Sequence, residues 1–156
     1  MYVRSPAFSH EGVIPSKYTC DGEHISPPLA IDDIPEEAVS LVLILEDPDV
    51  PRTIREDGMW IHWLMFNMPP DTSRIGEGEV PPHGIAGITT GSRLAYEGPC
   101  PPDREHRYLF RVFALDTMLD LPEGASRDTV RAAMEGHVLE STTLMGRYAR
   151  MSCDYQ

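Results

Sequence analysis

The sequence predicts a mainly β protein built as a sandwich, on three observations. Segments 39–46, 59–68 and 107–115 have the length and the β-branched or aromatic content of strands. Fifteen prolines and twelve glycines punctuate the chain, with doublets at Pro27-Pro28, Pro69-Pro70, Pro81-Pro82 and Pro101-Pro102, and such marks bound loops. Only one segment carries a clear helical period, and it comes late. Strands followed by one helix do not form the alternating βαβ units of a parallel sheet.

The segment 39–46 is a nearly unbroken apolar run, the pattern of a strand buried on both faces. The segment 59–68 is a second such run, closed by Pro69. The third, 107–115, is rich in aromatic residues. Weaker strand signals lie at 2–4, 26–31 and 144–150. The helix starts at Ser126, whose hydroxyl can cap it, with Asp128 in the first turn to favour the dipole. Val130, Ala133, Met134, His137 and Val138 follow at the spacing of one helical face, and Gly136 weakens its end.

The 156 residues show no linker or shift of composition, so residues 1–156 read as one domain. A chain of this size buries about 70% of its unfolded surface, enough for a core without staples. The formal net charge of −12 opposes binding to nucleic acid or to an anionic membrane. A small anion can still be held locally by histidines and backbone N–H groups. Cys20, Cys100 and Cys153 are odd in number and widely spaced, neither a disulfide framework nor a zinc pattern, and whether any two are bridged stays open. The amino-terminal residues lack the basic and apolar regions of a signal peptide, and no apolar run approaches a membrane span. The expected location is the cytoplasm.

Alternation along a strand indicates which side chains travel together. In 59–68 it puts Trp60, His62, Leu64 and Phe66 on one face. In the third strand it does the same for His106, Tyr108, Phe110 and Val112. If those strands are neighbours, Trp60, His62, His106 and Tyr108 form one cluster at a sheet end, and Asp47 and Asp49 can join it from the strand that starts at Val39. The run Tyr96-Glu97-Gly98-Pro99-Cys100-Pro101-Pro102 makes a stiff rim, in which Gly98 allows a ligand to approach the backbone closely. Imidazoles donate to oxyanions, and carboxylates orient them and raise their proton affinity. Set against this, a Trp–His pair in a strand more often packs than binds, and aspartates at strand ends often only accept from turn N–H groups.

Several linked motifs now become recognisable. Tyr18-Thr19-Cys20-Asp21-Gly22 precedes Ser26-Pro27-Pro28-Leu29. Glu46-Asp47-Pro48-Asp49-Val50-Pro51 precedes Trp60-Ile61-His62-Trp63 and Asn67-Met68-Pro69. Tyr96-Glu97-Gly98-Pro99-Cys100-Pro101-Pro102 leads into His106-Arg107-Tyr108, and Gly136-His137-Val138-Leu139 follows. In this order, along nearly the whole chain, they resemble the phosphatidylethanolamine-binding protein family in its prokaryotic, Raf kinase inhibitor-like branch. The resemblance implies a large antiparallel sheet packed on a smaller one, with a few peripheral helices. It implies an anion pocket for phosphate, phosphate esters or carboxylates, lined by Asp47, Trp60, His62, Gly98, Pro101, Pro102, His106 and Tyr108. Asp49 and Cys100 are its supporting positions, the first orienting neighbours and the second part of the rim. In place of the family's Asn-Asp/Ser-aromatic-Gly element the chain has Gly87-Ile88-Thr89-Thr90-Gly91, so the part this loop plays at the pocket is open. The prokaryotic branch lacks much of the extended carboxy-terminal segment of eukaryotic relatives, so phospholipid selectivity does not carry over. Prokaryotic relatives also point toward a homodimer.

The first functional reading is therefore a binding and regulatory protein that holds a small anion, with a kinase or other signalling protein as a partner. The alternative is a serine protease inhibitor acting through a surface loop, 51–58 or 76–87. A hydrolytic enzyme ranks lower. The chain has no Gly-x-Ser-x-Gly elbow, and the prolines around Cys100 suit a rim better than an activated thiolate. No metal and no cofactor are expected, since no tight ligand spacing exists.

Overall fold

The computed structural model describes residues 1–150. Eight strands form in chain order: β1 (Tyr2–Arg4), β2 (Leu29–Asp32), β3 (Ser40–Asp47), β4 (Trp60–Met68), β5 (Arg74–Ile75), β6 (Ile85–Ala86), β7 (His106–Leu115) and β8 (Val138–Tyr148). Among the described residues there is one α-helix, α1 (Arg127–Met134), between β7 and β8, and one short 3-10 turn at Ser16–Tyr18. The smaller sheet has the order β1-β2-β5 and the larger β6-β4-β3-β7-β8, and the pairings between the named strands are antiparallel. This is the expected large sheet on a small one. Among the described residues no helix is long and apolar enough to cross a membrane.

The central strand explains the architecture. All eight residues of β3 are buried, which its unbroken apolar run requires. Leu41, Leu43 and Leu45 face the small sheet and pack with Val3, Leu29, Ile31, Phe110 and Val112. Val42 and Ile44 face the other way, under Val130 and Met134 of α1. A fully buried leucine or isoleucine contributes about 2 kcal/mol, so this strand anchors both layers.

The helix is shorter than its apolar period suggests. Ser126 caps it, its hydroxyl oxygen accepting from Thr129 N at 3.2 Å. It stops at Met134, and Gly136 then takes φ 83°, a left-handed conformation that ends helices. His137 and Val138 therefore do not continue the helical face. Val138 begins β8, and β8 starts well before 144. Its first half has no clear alternation of its own. It is a strand because it pairs with β7 from Leu115↔Val138 to His106↔Tyr148. The two-residue strands β5 and β6 are too short to show a period in sequence.

The face assignment in β4 also changes. The β3–β4 register runs Leu45↔Trp63 and then Glu46↔Ile61, which leaves His62 as the extra residue of a bulge. Beyond it the alternation is reset. Trp63 and Met65 join the core between the sheets, while Leu64 and Phe66 face α1. Trp60 and His62 thus do not share a face with Leu64 and Phe66. The corresponding expectation for β7 holds at Tyr108, Phe110 and Val112, which all join the inter-sheet core.

Candidate functional site

Strand direction gathers the polar groups. β3 runs antiparallel to β4 and to β7, so its carboxyl end meets the amino ends of both. Asp47 lies at that end, opposite Trp60. β4 and β7 are not neighbours, because β3 separates them. Their side chains reach across it: the rings of His62 and Tyr108 lie 5.4 Å apart, edge to face. Within β7 the rings of His106 and Tyr108 stack at 6.4 Å.

The result is a cavity of about 250 Å³. Asp47, Trp60, His62, Gly98, Cys100, Pro101, Pro102, His106 and Tyr108 line it, together with Val50, Ile54 and Glu97. All eight residues expected as lining are present, and Cys100 joins them. Asp49 points elsewhere. Its carboxylate accepts from Arg107 N, Nε and Nη2 at 2.9, 3.0 and 2.8 Å. The hydrogen bonds from Arg107 hold the Asp49 carboxyl below its ordinary pKa, against the opposing effect of burial. Asp49 N donates to Asp47 Oδ1 at 2.8 Å, so Asp49 supports the site through its backbone.

The two histidines are in opposite electrostatic states. His106 is 1% exposed, with Nδ1 2.6 Å from Asp47 Oδ2 and Nε2 2.6 Å from Asp103 Oδ1. A carboxylate on each nitrogen requires a proton on each, which makes the ring a cation. Burial works to lower its pKa, but the hydrogen bonds and charges of Asp47 and Asp103 outweigh burial and raise it. His62 Nδ1 lies 2.8 Å from the carbonyl oxygen of Glu97. A carbonyl only accepts, so Nδ1 carries the proton and Nε2 of the neutral ring has a free lone pair. Burial pushes the His62 pKa down.

The carboxylates are engaged from inside the protein. Glu97 Oε1 accepts from Thr89 Oγ1 at 2.6 Å, and Oε2 from Trp60 Nε1 at 3.4 Å. Thr90 Oγ1 accepts from Ile61 N at 2.7 Å. The Gly87–Gly91 loop therefore acts on the pocket through Glu97 and does not line it. Gly98 is needed for a different close approach than the one expected. A Cβ there would lie 2.5 Å from Tyr18 O and 2.6 Å from His24 Cδ2, and Gly98 N donates to His24 Nε2 at 2.7 Å. The crowding comes from the protein, and the Gly98 N–H is already used.

A disulfide joins Cys20 to Cys100. It fixes the rim to the 18–24 segment, as do Cys20 N to Pro99 O at 3.1 Å and Tyr96 Oη to Tyr18 O at 2.7 Å. Bridged, Cys100 offers no thiolate. Cys153 lies outside the described residues. The 51–58 segment folds back on itself, with Ile54 N and Arg55 N both donating to Pro51 O, and it lends Ile54 to the pocket wall.

Sequence reasoning missed Glu97, although it stands in the rim run beside Gly98. It also missed Asp103. The available signal was an acidic residue three positions before His106, on the turn that leads into β7.

A sandwich of a large and a small antiparallel sheet, with histidines and carboxylates converging at a sheet end under a Gly-Pro-Cys-Pro-Pro rim, defines a class of small pocket-bearing β proteins. The profile of the phosphatidylethanolamine-binding protein matches residues 4–149, and the chain belongs to that family. It is 48% identical over 151 residues to a UPF0098 protein of Chlamydia pneumoniae, covering 96% of this chain and 99% of the relative. A UPF0098 protein of Methanothermobacter thermautotrophicus is 49% identical over 155 residues, covering 96% and 99%. The crystal structure of a phosphatidylethanolamine-binding protein homolog from Chlamydia trachomatis superimposes with a TM-score of 0.93 at 46% identity, covering 96% of this chain and 97% of that one. Escherichia coli YbcL shares the fold, with a TM-score of 0.85 at 21% identity and coverage of 96% and 98%.

Proposed function

We propose that the protein is a binding protein whose pocket takes a small anion: phosphate, a phosphate ester or a carboxylate. One observation carries this reading. Two imidazoles of different protonation, His106 as a cation and His62 as a neutral ring, meet at one cavity with Tyr108 between them. Asp47 and Glu97 also line that cavity, yet internal donors engage them. The His62 ring has its Nε2 lone pair to offer. It accepts from a ligand O–H, or it takes up a proton and donates to a ligand oxygen. Affinity therefore rises as pH falls and is lost as pH rises through the raised His106 pKa.

A phosphorylated or carboxylated group on a signalling protein, a kinase included, would dock through the same chemistry. The reading is one of binding rather than catalysis, because the disulfide removes Cys100 as a nucleophile. A cytoplasmic location requires a cytoplasm that tolerates the Cys20–Cys100 bond, since such bonds otherwise persist in oxidising compartments.

Calorimetric titration with phosphate and O-phosphorylethanolamine tests the pocket. The parent protein should bind saturably, while His106→Ala and His62→Ala should each lose at least about tenfold in affinity, the scale of one charge-assisted hydrogen bond. Equal affinity in all three proteins would remove the pocket from the account.

A further inference from the structure

His106 is held by two carboxylates that differ in every respect but distance. The Asp47 side chain is 4% exposed, and both its oxygens are committed, one to His106 and one to Asp49 N. The Asp103 side chain is 39% exposed and stands on the turn outside the sheet. Its second oxygen lies 3.7 Å from Arg104 Nε, on a side chain that is 62% exposed. Asp103 therefore has an alternative partner, and water, immediately outside the pocket. Asp47 has neither.

The two ring nitrogens also differ in what they can reach. Nδ1 is occupied by Asp47, at the buried end of β3. Nε2 is the ring's other donor, and Asp103 Oδ1, which does not itself line the cavity, sits 2.6 Å from it, so an oxyanion reaches Nε2 only when Asp103 leaves. The Asp103 contact has the distance and chemistry of a bound carboxylate ligand.

We infer that Asp103 is an internal counter-ion that competes with the ligand for Nε2 of His106, and so sets how tightly the pocket holds any external anion. The inference rests on the anion-binding reading above. A competitor tethered three residues away acts at an effective concentration on the order of millimolar or higher, and it weakens every external anion accordingly. The same displacement of Asp103 precedes the binding of acetate or of phosphate, so it lowers both apparent affinities by a common factor. On displacement the Asp103 carboxylate moves to Arg104 and water.

The test is a titration of the parent, Asp103→Asn and Asp103→Ser with phosphate and with acetate, read from the ring nitrogen shifts of His62 and His106 by NMR. Glu105→Gln serves as a control. It removes one exposed negative charge two residues away, from a side chain that bonds Arg147 rather than His106. Both Asp103 variants should bind each anion at least about tenfold more tightly than the parent, the loss of a charge-assisted competitor. The gain should be no smaller for phosphate than for acetate, since the displacement is common to both and the displaced carboxylate repels a dianion more. Glu105→Gln should move affinity by less than about twofold, since an exposed charge is screened. Binding by the Asp103 variants with none by the parent would support the inference in its strongest form, a pocket closed by its own carboxylate. Saturable binding that is equal in parent and variants, or weaker in the variants, would overturn it and leave the pocket reading intact. A gain in Glu105→Gln as large as in the Asp103 variants would overturn it too, by reducing the effect to net charge. No binding to any of the proteins would overturn both. Thermal melting of Asp103→Asn and Asp103→Ser checks that each is folded before titration.

Discussion

Glu46 and Asp47 are consecutive residues at the end of β3, both carboxylates, 1% and 3% exposed, and they face opposite sides of the large sheet. Glu46 meets guanidinium groups. Arg127 Nη2 lies 3.4 Å from Oε1 and Arg111 Nη1 3.8 Å from Oε2. Arg111 and Arg131 also sit over the ring of Phe113, at 5.6 and 4.9 Å. Asp47 meets an imidazole at 2.6 Å. A guanidinium keeps its charge at every accessible pH, whereas an imidazole changes state near neutrality. Two carboxylates that share burial and a strand end therefore differ in kind. One sits in a fixed ion cluster that ties α1 to the sheet, and the other sets the state of a titratable ring at a cavity. Burial of charge does not by itself mark the site, and the partner's chemistry separates the two.

The largest test of this contrast is reduction of the Cys20–Cys100 bond, which closes a loop of sequence separation 80 on the pocket side only. Its loss should destabilise the protein by about 4 kcal/mol, seen as a lower denaturation midpoint in urea with reductant. Hydrogen exchange should speed up at Gly98 and Cys20, while the amides of α1 should change no more than global stability dictates. Uniform acceleration across both faces would mean that the two regions are not separable.

Next in size is Glu46→Ala. It leaves Arg111 and Arg127 without their shared carboxylate and should cost about 3 kcal/mol of stability, measured by urea denaturation at neutral pH. Phosphate affinity should stay unchanged. A loss of affinity with little loss of stability would place Glu46 in the pocket's machinery.

The smallest effect concerns pH. The His106 pKa is raised in the folded protein, so its contribution to stability is full below the unfolded value, about 6.5, and is lost as pH rises through the folded value. The His62 pKa is lowered. Its contribution is present above about 6.5 and is lost as pH falls toward the folded value. Melting temperature should therefore peak near the ordinary histidine pKa. His106→Gln should flatten the alkaline limb, and His62→Gln the limb immediately on the acid side. If both limbs survive both substitutions, the imidazoles are not the groups responsible.

Much of the site was legible because its carriers sit at strand ends in recognisable runs. Trp60, His62, His106 and Tyr108 were grouped by alternation, Asp47 and Asp49 were added by their place at a strand end, and the Pro-rich rim by its stiffness; of the two aspartates only Asp47 lines the cavity. The grouping survived even though two of its premises did not: β4 and β7 are separated by β3, and the alternation of β4 is reset at His62. It survived because Trp60 and His62 lie before the reset, on the same side as Tyr108. Leu64 and Phe66 lie beyond it and fell on the wrong side. In the same way His137 and Val138 kept a helical spacing with α1, while Gly136 had already ended the helix.

Periodicity is a property of neighbouring residues, so strand identity, the buried character of β3 and the start of α1 were written in local runs of the chain. Strand order, the bulge at His62, the strand character of 138–143, the Cys20–Cys100 pairing and the seat of Asp103 against His106 each depend on a partner supplied by another segment. Local pattern does not encode which partner arrives. Packing of the two sheets chose among them, and the register it chose buries all of β3 while giving Glu46 and Asp47 their partners.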